Sequence, residues 1–356
     1  MVEESGGFRN LDGEASVSSS FSLAGIPATL LDLLIARLDR LDSDHEVAQL
    51  AATVGREFTW ELIAAVWEED EARLEEELDK LVAAELVFRR GRGTRANYSF
   101  KHALIQDAAY ESLLRKKRQH FHQRIADVLL ETFPETAEHQ PELLAHHFTE
   151  AGNVAQAIEY WQKAGQRSQK RSANMEAIAQ LGKGVELVRS LDESPQRDQQ
   201  ELGLLVPLGV VWMATLGWAS EEVGKTLQRA LELCEKLGAA DHQFNVMWGL
   251  WGWRLLRGEF DEAMKMAPET TQLAESLNHP AILMEAPWIP GCTQFYRGEF
   301  EPSLKNLELG FSRYDEEVSK VTALATGQNC GVAYQLYIAL DLWYLGYPGY
   351  PGLLKI

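Results

Sequence analysis

The sequence predicts a predominantly helical protein in which a small unit with one β-hairpin precedes a long array of helical hairpins. Apolar residues recur at helical spacing along most of the 356 residues. One arginine- and glycine-rich segment near residue 90 interrupts that spacing. The tetrapeptide Arg-Gly-Glu-Phe occurs twice, at 257–260 and at 297–300. A recurrence at about 40 residues is typical of repeat proteins built from helical hairpins.

Composition limits the classes of function. The formal net charge is -19 and the isoelectric point is near 5.0, so nucleic-acid phosphates are repelled on average and a general nucleic-acid binder is disfavoured. The three cysteines, Cys234, Cys292 and Cys330, are widely spaced. That usage predicts buried thiols in a reducing cytoplasm.

Two segments bear on targeting. Residues 1–20 are acidic and rich in glycine and serine, which is unlike a secretory signal. Residues 202–220 carry no charge and are about long enough to span a bilayer. They contain Pro207 and three glycines and are flanked by Glu201 and Glu221. A buried helix of a cytoplasmic protein with no membrane contact is therefore predicted.

The first part of the chain predicts four helices. The first has Pro27 in its opening turn and leucines at 30, 34, 38 and 41. The second covers 46–54, and the third covers 61–67 with Thr59 as its cap. The fourth begins near Glu71 and has one apolar face, formed by Leu74, Leu78, Leu81 and Val82.

An extended hairpin follows these helices. Residues 86–88 lead into Arg89-Arg90-Gly91-Arg92-Gly93, and 96–100 form the returning strand. Helices followed by a glycine-rich β-hairpin is the order of a winged-helix domain. From His102 the helical spacing resumes and continues to Leu129.

The repeats beyond Pro141 share a turn glycine and a small residue behind it. Gly258 is followed by Ala263 and Gly298 by Ser303. In a helical hairpin the glycine makes the turn, and the small residue lets the second helix approach the first closely. This pattern predicts a tetratricopeptide-like α-solenoid. Its tryptophans are expected mainly in the core, with some lining a ligand groove as the alternative; they include Trp248, Trp251, Trp253 and Trp288.

Several strings carry a resemblance to a known family. They are Ile-Pro-Ala-Thr-Leu at 26–30, Ala-Arg-Leu-Asp-Arg-Leu at 36–41, Gln-Leu-Ala-Ala-Thr-Val-Gly-Arg-Glu-Phe at 49–58, Phe-Lys-His-Ala-Leu-Ile-Gln-Asp-Ala-Ala-Tyr-Glu-Ser-Leu at 100–113 and Gln-Pro-Glu-Leu-Leu-Ala-His-His-Phe at 140–148. With them the chain resembles the C-terminal half of bacterial signal-transduction ATPases with numerous domains. Those ATPases are often fused to adenylate or guanylate cyclases.

The resemblance implies a domain order and a set of partners. Residues 1–26 correspond to the tail of a nucleotide-binding domain lid, 27–133 to a winged helix with connecting helices, and 134–356 to helical repeats. The parent protein would bind ATP or ADP with Mg²⁺ in its ATPase domain, whereas no cofactor is expected in this chain. The expected partners are that ATPase domain and an unknown protein or peptide in the repeat groove.

No enzymatic motif is found in the sequence. A Gly-x-x-x-x-Gly-Lys-Ser/Thr loop does not occur, and Gly224-Lys225-Thr226 falls in a predicted helix with Ala219 at the position of the first glycine. No nucleophile elbow surrounds any serine. We therefore predict a non-catalytic regulatory chain. Because Pro348, Gly349, Pro351 and Gly352 forbid the second helix of a final hairpin, we interpret the chain as a fragment.

His102 is the predicted site residue. Its surroundings resemble the Met-His-Asp motif of related ATPases, in which the histidine contacts the β-phosphate of bound ADP and holds the closed state. Only the histidine matches, because Lys101 and Ala103 replace the other two residues. The resemblance implies that His102 senses nucleotide phosphate in the parent. The alternative is that His102 only caps or packs at the start of a helix.

Two further possibilities were open. The wing arginines at 89, 90, 92 and 95 suggest DNA binding, but the helix that would enter the major groove carries five carboxylates, at 71, 75, 76, 77 and 79. A transcription regulator is thus a lesser alternative. Histidines at 120, 122, 146 and 147 suggest a metal, but adjacent or alternate residues of a helix point to different faces. No metal site is predicted.

Overall fold

The computed structural model describes residues 45–320 and 329–347. The helical stripe at 30–41, the segment 1–26 and the prolines from 348 onward lie outside these described residues. The chain divides into two units, Met1–Phe121 and His122–Ile356. Each unit is described by itself.

The first unit alternates helices with short strands. Its described elements are α1 (Glu46–Val54), β1 (Glu57–Thr59), α2 (Trp60–Val66), α3 (Glu71–Ala83), β2 (Val87–Arg90), β3 (Asn97–Phe100) and α4 (Ala103–Glu111). The predicted bounds of α1 are confirmed, and the Thr59 side chain caps α2 by accepting a hydrogen bond from the Leu62 backbone nitrogen at 3.2 Å. Leu74, Leu78 and Leu81 of α3 are buried as expected.

The three strands form one antiparallel sheet in the order β1-β3-β2. The hairpin of β2 and β3 was predicted, but β1 was not, because three residues are too few to show an alternating pattern. The ring of Phe58 in β1 stacks on Tyr98 in β3 with centroids 5.3 Å apart. This contact gives the short strand a side-chain anchor in addition to its backbone pairing.

Helices account for all the regular structure described in the second unit. One further helix, α5 (Arg115–Thr132), contains the division between the units. It is followed by α6 (Pro134–His139), α7 (Pro141–Ala151), α8 (Val154–Lys170), α9 (Asn174–Arg189), α10 (Pro195–Leu216), α11 (Glu221–Leu237), α12 (Ala240–Leu256), α13 (Phe260–Lys265), α14 (Ala267–Leu277), α15 (Pro280–Glu285), α16 (Trp288–Tyr296), α17 (Phe300–Ser312) and α18 (Cys330–Tyr344). The predominantly helical fold class is confirmed.

The turn glycines predicted at 258 and 298, together with Gly152 and Gly346, end their helices in one common way. Gly152, Gly258, Gly298 and Gly346 have φ values of 82°, 77°, 76° and 80°, a left-handed conformation that suits glycine. After each glycine the next backbone nitrogen donates to a carbonyl five residues earlier, as from Glu259 to Arg254 at 3.0 Å. These bonds satisfy carbonyls that the helix ends leave unpaired. The repeated hairpin turn predicted from the sequence is confirmed.

Small residues lie where two helices of a hairpin approach. Ala263 and Ser303 are fully buried, as the repeat pattern predicted. Trp251 and Trp288 are buried in the core, and the Trp251 indole nitrogen donates to Thr293 Oγ1 at 2.8 Å. The core location predicted for these two tryptophans is confirmed.

The cysteines are buried as expected, and the uncharged segment forms part of a helix. All three cysteines are free and buried, and burial raises the pKa of Cys234 to about 11. The uncharged segment supplies most of α10, which contains Pro207 and ends at Leu216. Among the residues described, no helix combines the length and apolarity needed to cross a membrane.

Candidate functional site

His102 lies immediately before α4. Its backbone is extended, and its carbonyl oxygen accepts a hydrogen bond from the Ile105 nitrogen at 3.0 Å. The imidazole is exposed and makes no capping hydrogen bond, so the capping alternative does not describe its side chain. The neighbouring Lys101 is engaged by Glu85, with Nζ 2.8 Å from Oε2. His102 therefore presents an accessible ring at the positive end of a nine-residue helix, an end that favours anions.

The arginines of the β2–β3 hairpin differ in whether they form an ion pair within the first unit. Arg90, Arg92 and Arg95 are exposed, whereas Arg89 forms a 2.5 Å ion pair with Asp79 of α3. The outer face of the sheet forms a shallow depression of about 620 Å³, lined by residues that include Glu57, Thr59, Phe88, Arg90, Asn97 and Ser99. The Arg89–Asp79 ion pair thus neutralises part of the hairpin's positive charge within the first unit.

Helix α3 presents an acidic surface. Glu71, Glu75 and Glu76 are exposed. Lys80 lies 2.9 Å from Glu76 and 2.9 Å from Glu77, and its hydrogen bond lowers the pKa of Glu76. The two basic residues of this helix, Arg73 and Lys80, do not balance its five carboxylates, so a DNA backbone would meet net repulsion along it.

The Gly224-Lys225-Thr226 string is part of α11 and has a packing role. A Cβ atom on Gly224 would lie 2.5 Å from the indole of Trp253, so glycine is needed there for close packing. Lys225 is exposed and pairs with Glu221 one turn earlier at 2.7 Å. A helix of this kind does not form the backbone cradle of a phosphate-binding loop.

Two histidines from different helices meet in the interior of the second unit. His122 of α5 and His147 of α7 are fully buried, and their Nδ1 atoms are 2.8 Å apart. Burial lowers the pKa of His147 well below its usual value of 6.5, and the neighbouring His122 and His146 lower it further. A bond between two neutral rings needs Nδ1–H on one and a free Nδ1 on the other.

The contact between His122 and His147 was not predicted, because the sequence shows only which histidines are neighbours within one helix. The aromatic rings of His146, His122 and His147 lie with their centroids 5.0–5.6 Å apart. Across residues 45–320 and 329–347, no group of three or more ligating side chains is placed to hold a metal ion.

A buried carboxyl group in α18 was also missed. Asp341 is fully buried, and its Oδ2 lies 2.7 Å from Ser303 Oγ, which is itself 2.9 Å from the carbonyl oxygen of Gly291. Burial raises the pKa of Asp341 to about 6. Because the Ser303 hydroxyl has one hydrogen for two acceptors, both contacts become hydrogen bonds only when Asp341 is protonated and donates to Ser303.

A second buried acid joins three helices. Glu201 of α10 is 1% exposed and receives two hydrogen bonds from Arg229 of α11, at 2.8 and 3.3 Å. Arg189 of α9 donates a third at 3.4 Å. These arginines lower the pKa of Glu201 against the opposing effect of its burial. This cluster is structural, since its charges are matched within the chain.

The last described helix carries an exposed apolar stripe. Val332, Leu336 and Trp343 of α18 are 56%, 55% and 70% exposed. Tyr347, just beyond the helix, is 62% exposed. Four large apolar side chains within 16 residues are unusual for a surface that faces only water.

Comparison with known proteins finds a relative of uncharacterised function. No family model matches the chain. An uncharacterised protein of Rhizobium meliloti (strain 1021), R02095, is 27% identical over 321 residues, which are 88% of this chain and 31% of that protein. The chain therefore spans about a third of its relative's length.

Two solved structures show distant likeness. One is the signal transduction ATPase with numerous domains PH0952 from Pyrococcus horikoshii, which has a tetratricopeptide repeat sensor; it is 11% identical, with 91% of this chain and 64% of that chain covered and a TM-score of 0.41. The other is BtubC from P. vanneervenii, 13% identical over 81% of this chain and 94% of that chain, with a TM-score of 0.24. At these values neither likeness says what this chain does.

Proposed function

We propose that this chain is the regulatory and sensor half of a multidomain signal-transduction ATPase that is linked to a cyclase. The observation that carries the proposal is the order of elements in the first unit. Helix, strand, two helices and a hairpin, with the sheet order β1-β3-β2, is the arrangement of a winged helix. Helical hairpins follow it along the chain. This is the domain order that the sequence resemblance implies.

His102 is the residue through which the proposed module reads nucleotide. Its exposed ring at the start of α4 is accessible to a phosphate held by the ATPase domain of the parent. A hydrogen bond to a charged phosphate contributes about 1.5–3 kcal/mol. Because each 1.4 kcal/mol is about tenfold, this bond would shift a closed-to-open equilibrium by roughly ten- to hundredfold. That range is sufficient for a switch.

The test uses the full-length parent protein. His102→Ala is expected to raise basal output and to reduce the amount of ADP that copurifies with the protein. His279→Ala is the matched control, because His279 is also an exposed residue that precedes a helix without capping it. Equal basal activity and equal ADP content in wild type and His102→Ala would reject the sensor role.

A second candidate is a free-standing scaffold that binds a protein or peptide through its repeats. The exposed stripe on α18 favours it, because that stripe offers an apolar contact surface that needs no nucleotide. The two candidates differ in the gene. The sensor proposal requires a Gly-x-x-x-x-Gly-Lys-Ser/Thr motif encoded upstream in the same reading frame, and the scaffold does not. A winged-helix transcription regulator has less support, because α3 is acidic.

A further inference from the structure

A groove in the second unit is lined mainly by amide and apolar groups. It has a volume of about 630 Å³, within the range of ligand-binding pockets. Its amide groups come from Gln162 of α8 and from Gln196, Gln199 and Gln200 of α10, and the other lining residues are apolar apart from the exposed His242. Among the lining residues that the structure describes, none carries a carboxylate, an ammonium or a guanidinium group. Such a lining is distinctive in a chain with a net charge of -19.

The three glutamines of α10 lie on one face of that helix. Gln196, Gln199, Gln200 and Gly203 have the spacing i, i+3, i+4 and i+7, which places neighbouring Cβ atoms about 5–6 Å apart. Gln196 and Gln199 are exposed, and Gln200 is half-buried. Their amide groups form no hydrogen bond with another described residue. One wall of the groove is therefore a row of amides that are available to a ligand.

Buried acids hold α10 in place from its opposite face. Asp198 is fully buried, and its Oδ2 lies 2.6 Å from Nζ of Lys236 in α11. Glu201, one turn further along, is bonded to arginines of α9 and α11. Because these ion pairs fix the helix against two neighbours, the glutamine row is positioned before any ligand binds.

The fourth amide reaches the groove from another helix. Gln162 Nε2 donates to the carbonyl oxygen of Gly203 at 3.0 Å. A Cβ atom at position 203 would lie 2.9 Å from that nitrogen, so a larger residue there would displace the glutamine. The bond uses one of the two Nε2 hydrogens and leaves Oε1 able to accept. The hydrogen bond thus ties α8 to the same face of α10 that carries the row of amides.

The chemistry of the lining indicates a neutral ligand with both donors and acceptors. Each amide group offers two N–H donors and one carbonyl acceptor without a charge. A polypeptide backbone offers one donor and one acceptor at each residue and is also uncharged. In an extended peptide, groups on the same side recur every second residue, at about 6.6 Å. This repeat is close to the spacing of the glutamines, and the three rotatable bonds of a glutamine side chain accommodate the difference.

We propose that this groove binds an extended, uncharged peptide segment of a partner protein, held through its backbone by Gln196, Gln199 and Gln200. The half-buried Leu237 and Ala239 contact apolar side chains of the peptide. A nucleotide is a poorer occupant, because no described lining residue supplies a cation for its phosphates. The inference rests on the proposed function only in taking the helical repeats as a protein-binding region. It needs neither His102 nor a nucleotide.

The test selects a peptide and then maps where it binds. A phage-displayed library of random nonapeptides is selected on the 356-residue protein, and the best peptides are synthesised with fluorescein and titrated by fluorescence anisotropy. We expect dissociation constants below about 100 μM. The combined substitution Gln199→Ala and Gln200→Ala should weaken binding at least about tenfold, with an unchanged melting temperature, since neither side chain bonds to a described residue. Gln228→Ala, at an exposed glutamine of α11 outside the groove, should leave binding unchanged.

Two modified peptides test whether the backbone is recognised. One carries N-methyl groups on the odd-numbered backbone nitrogens and the other on the even-numbered ones, so each loses alternate donors. In an extended peptide only one of these sets faces the glutamines, so one peptide should bind at least about tenfold more weakly than the other. The proposal is overturned if no selected peptide binds more tightly than about 100 μM, if the glutamine substitutions leave binding unchanged, or if the two methylated peptides bind equally. None of these outcomes changes the result expected for His102→Ala, so the two proposals fail separately.

Discussion

Lowering the pH should destabilise the second unit through the His122–His147 pair. Burial keeps His147 neutral in the folded protein, whereas the same side chain in the unfolded chain takes up a proton near its ordinary pKa of 6.5. The folded-state pKa is depressed, so the unfolded state binds more protons. The stability contributed by neutral His147 is present above pH 6.5 and is lost as the pH falls below it.

Proton linkage sets an upper limit on the magnitude. Each pH unit below 6.5 costs at most about 1.4 kcal/mol, the full amount applying while His147 remains neutral in the folded state. Between pH 6.5 and pH 5 the loss of stability is therefore at most about 2 kcal/mol. For a unit of this size that limit corresponds to a decrease of about 4–8 °C in melting temperature.

The assay compares wild type with His147→Gln by denaturant unfolding from pH 8 to pH 5. Glutamine keeps a hydrogen-bonding group but does not titrate, so the variant should be less stable than wild type at pH 8, and the difference in stability should shrink by up to about 2 kcal/mol at pH 5. His279→Gln, at an exposed position, should follow the wild type at every pH. A stability difference that stays constant between pH 8 and pH 5 would refute the reasoning.

Three other predictions concern buried groups. The Asp341 carboxyl has a raised pKa of about 6, so the stability contributed by its protonated form is lost as the pH rises through 6. In chemical denaturation, Asp341→Asn should therefore be about 1–3 kcal/mol more stable than wild type at pH 8 and no more stable than wild type at pH 4. Glu201→Ala should lower the free energy of unfolding by about 1–3 kcal/mol, because two arginines lose their buried partner. Glu232→Ala, at an exposed partner of the same cluster, should lower it by less than about 0.5 kcal/mol, and equal losses in the two variants would contradict this prediction. Gly182→Ala should raise the melting temperature and add about 0.5–1 kcal/mol of stability, because nothing lies within 4 Å of the added Cβ. Gly310→Ala should lower the melting temperature, because the new Cβ would overlap the ring of Tyr334.

Local features of the fold were well predicted. The start of α3, the cap at Thr59 and the hairpin of β2 and β3 depend on a few neighbouring residues each. The left-handed turns at Gly258 and Gly298 follow from a single residue type and a repeated string. Strand β1 was missed because its three residues become a strand only by pairing with β3.

The candidate sites also differ in whether neighbouring residues in the sequence are enough to reveal them. His102 was found through a string of residues around it, and the structure adds its exposure and its place before α4. Its contact with nucleotide remains a prediction. The exposed stripe on α18 was not predicted, because the exposure of Val332, Leu336 and Trp343 depends on which elements pack against that helix.

The sequence by itself determined the helices, their caps and the repeated turns, because backbone conformation and apolar spacing are set by residues within a few positions of each other. Only the tertiary structure decided which side chains share a buried environment. His122 meets His147 from another helix, and Asp341 meets Ser303 across 38 residues. Because the pKa values of His147 and Asp341 depend on burial and on partners distant in the chain, no local sequence pattern predicts these values.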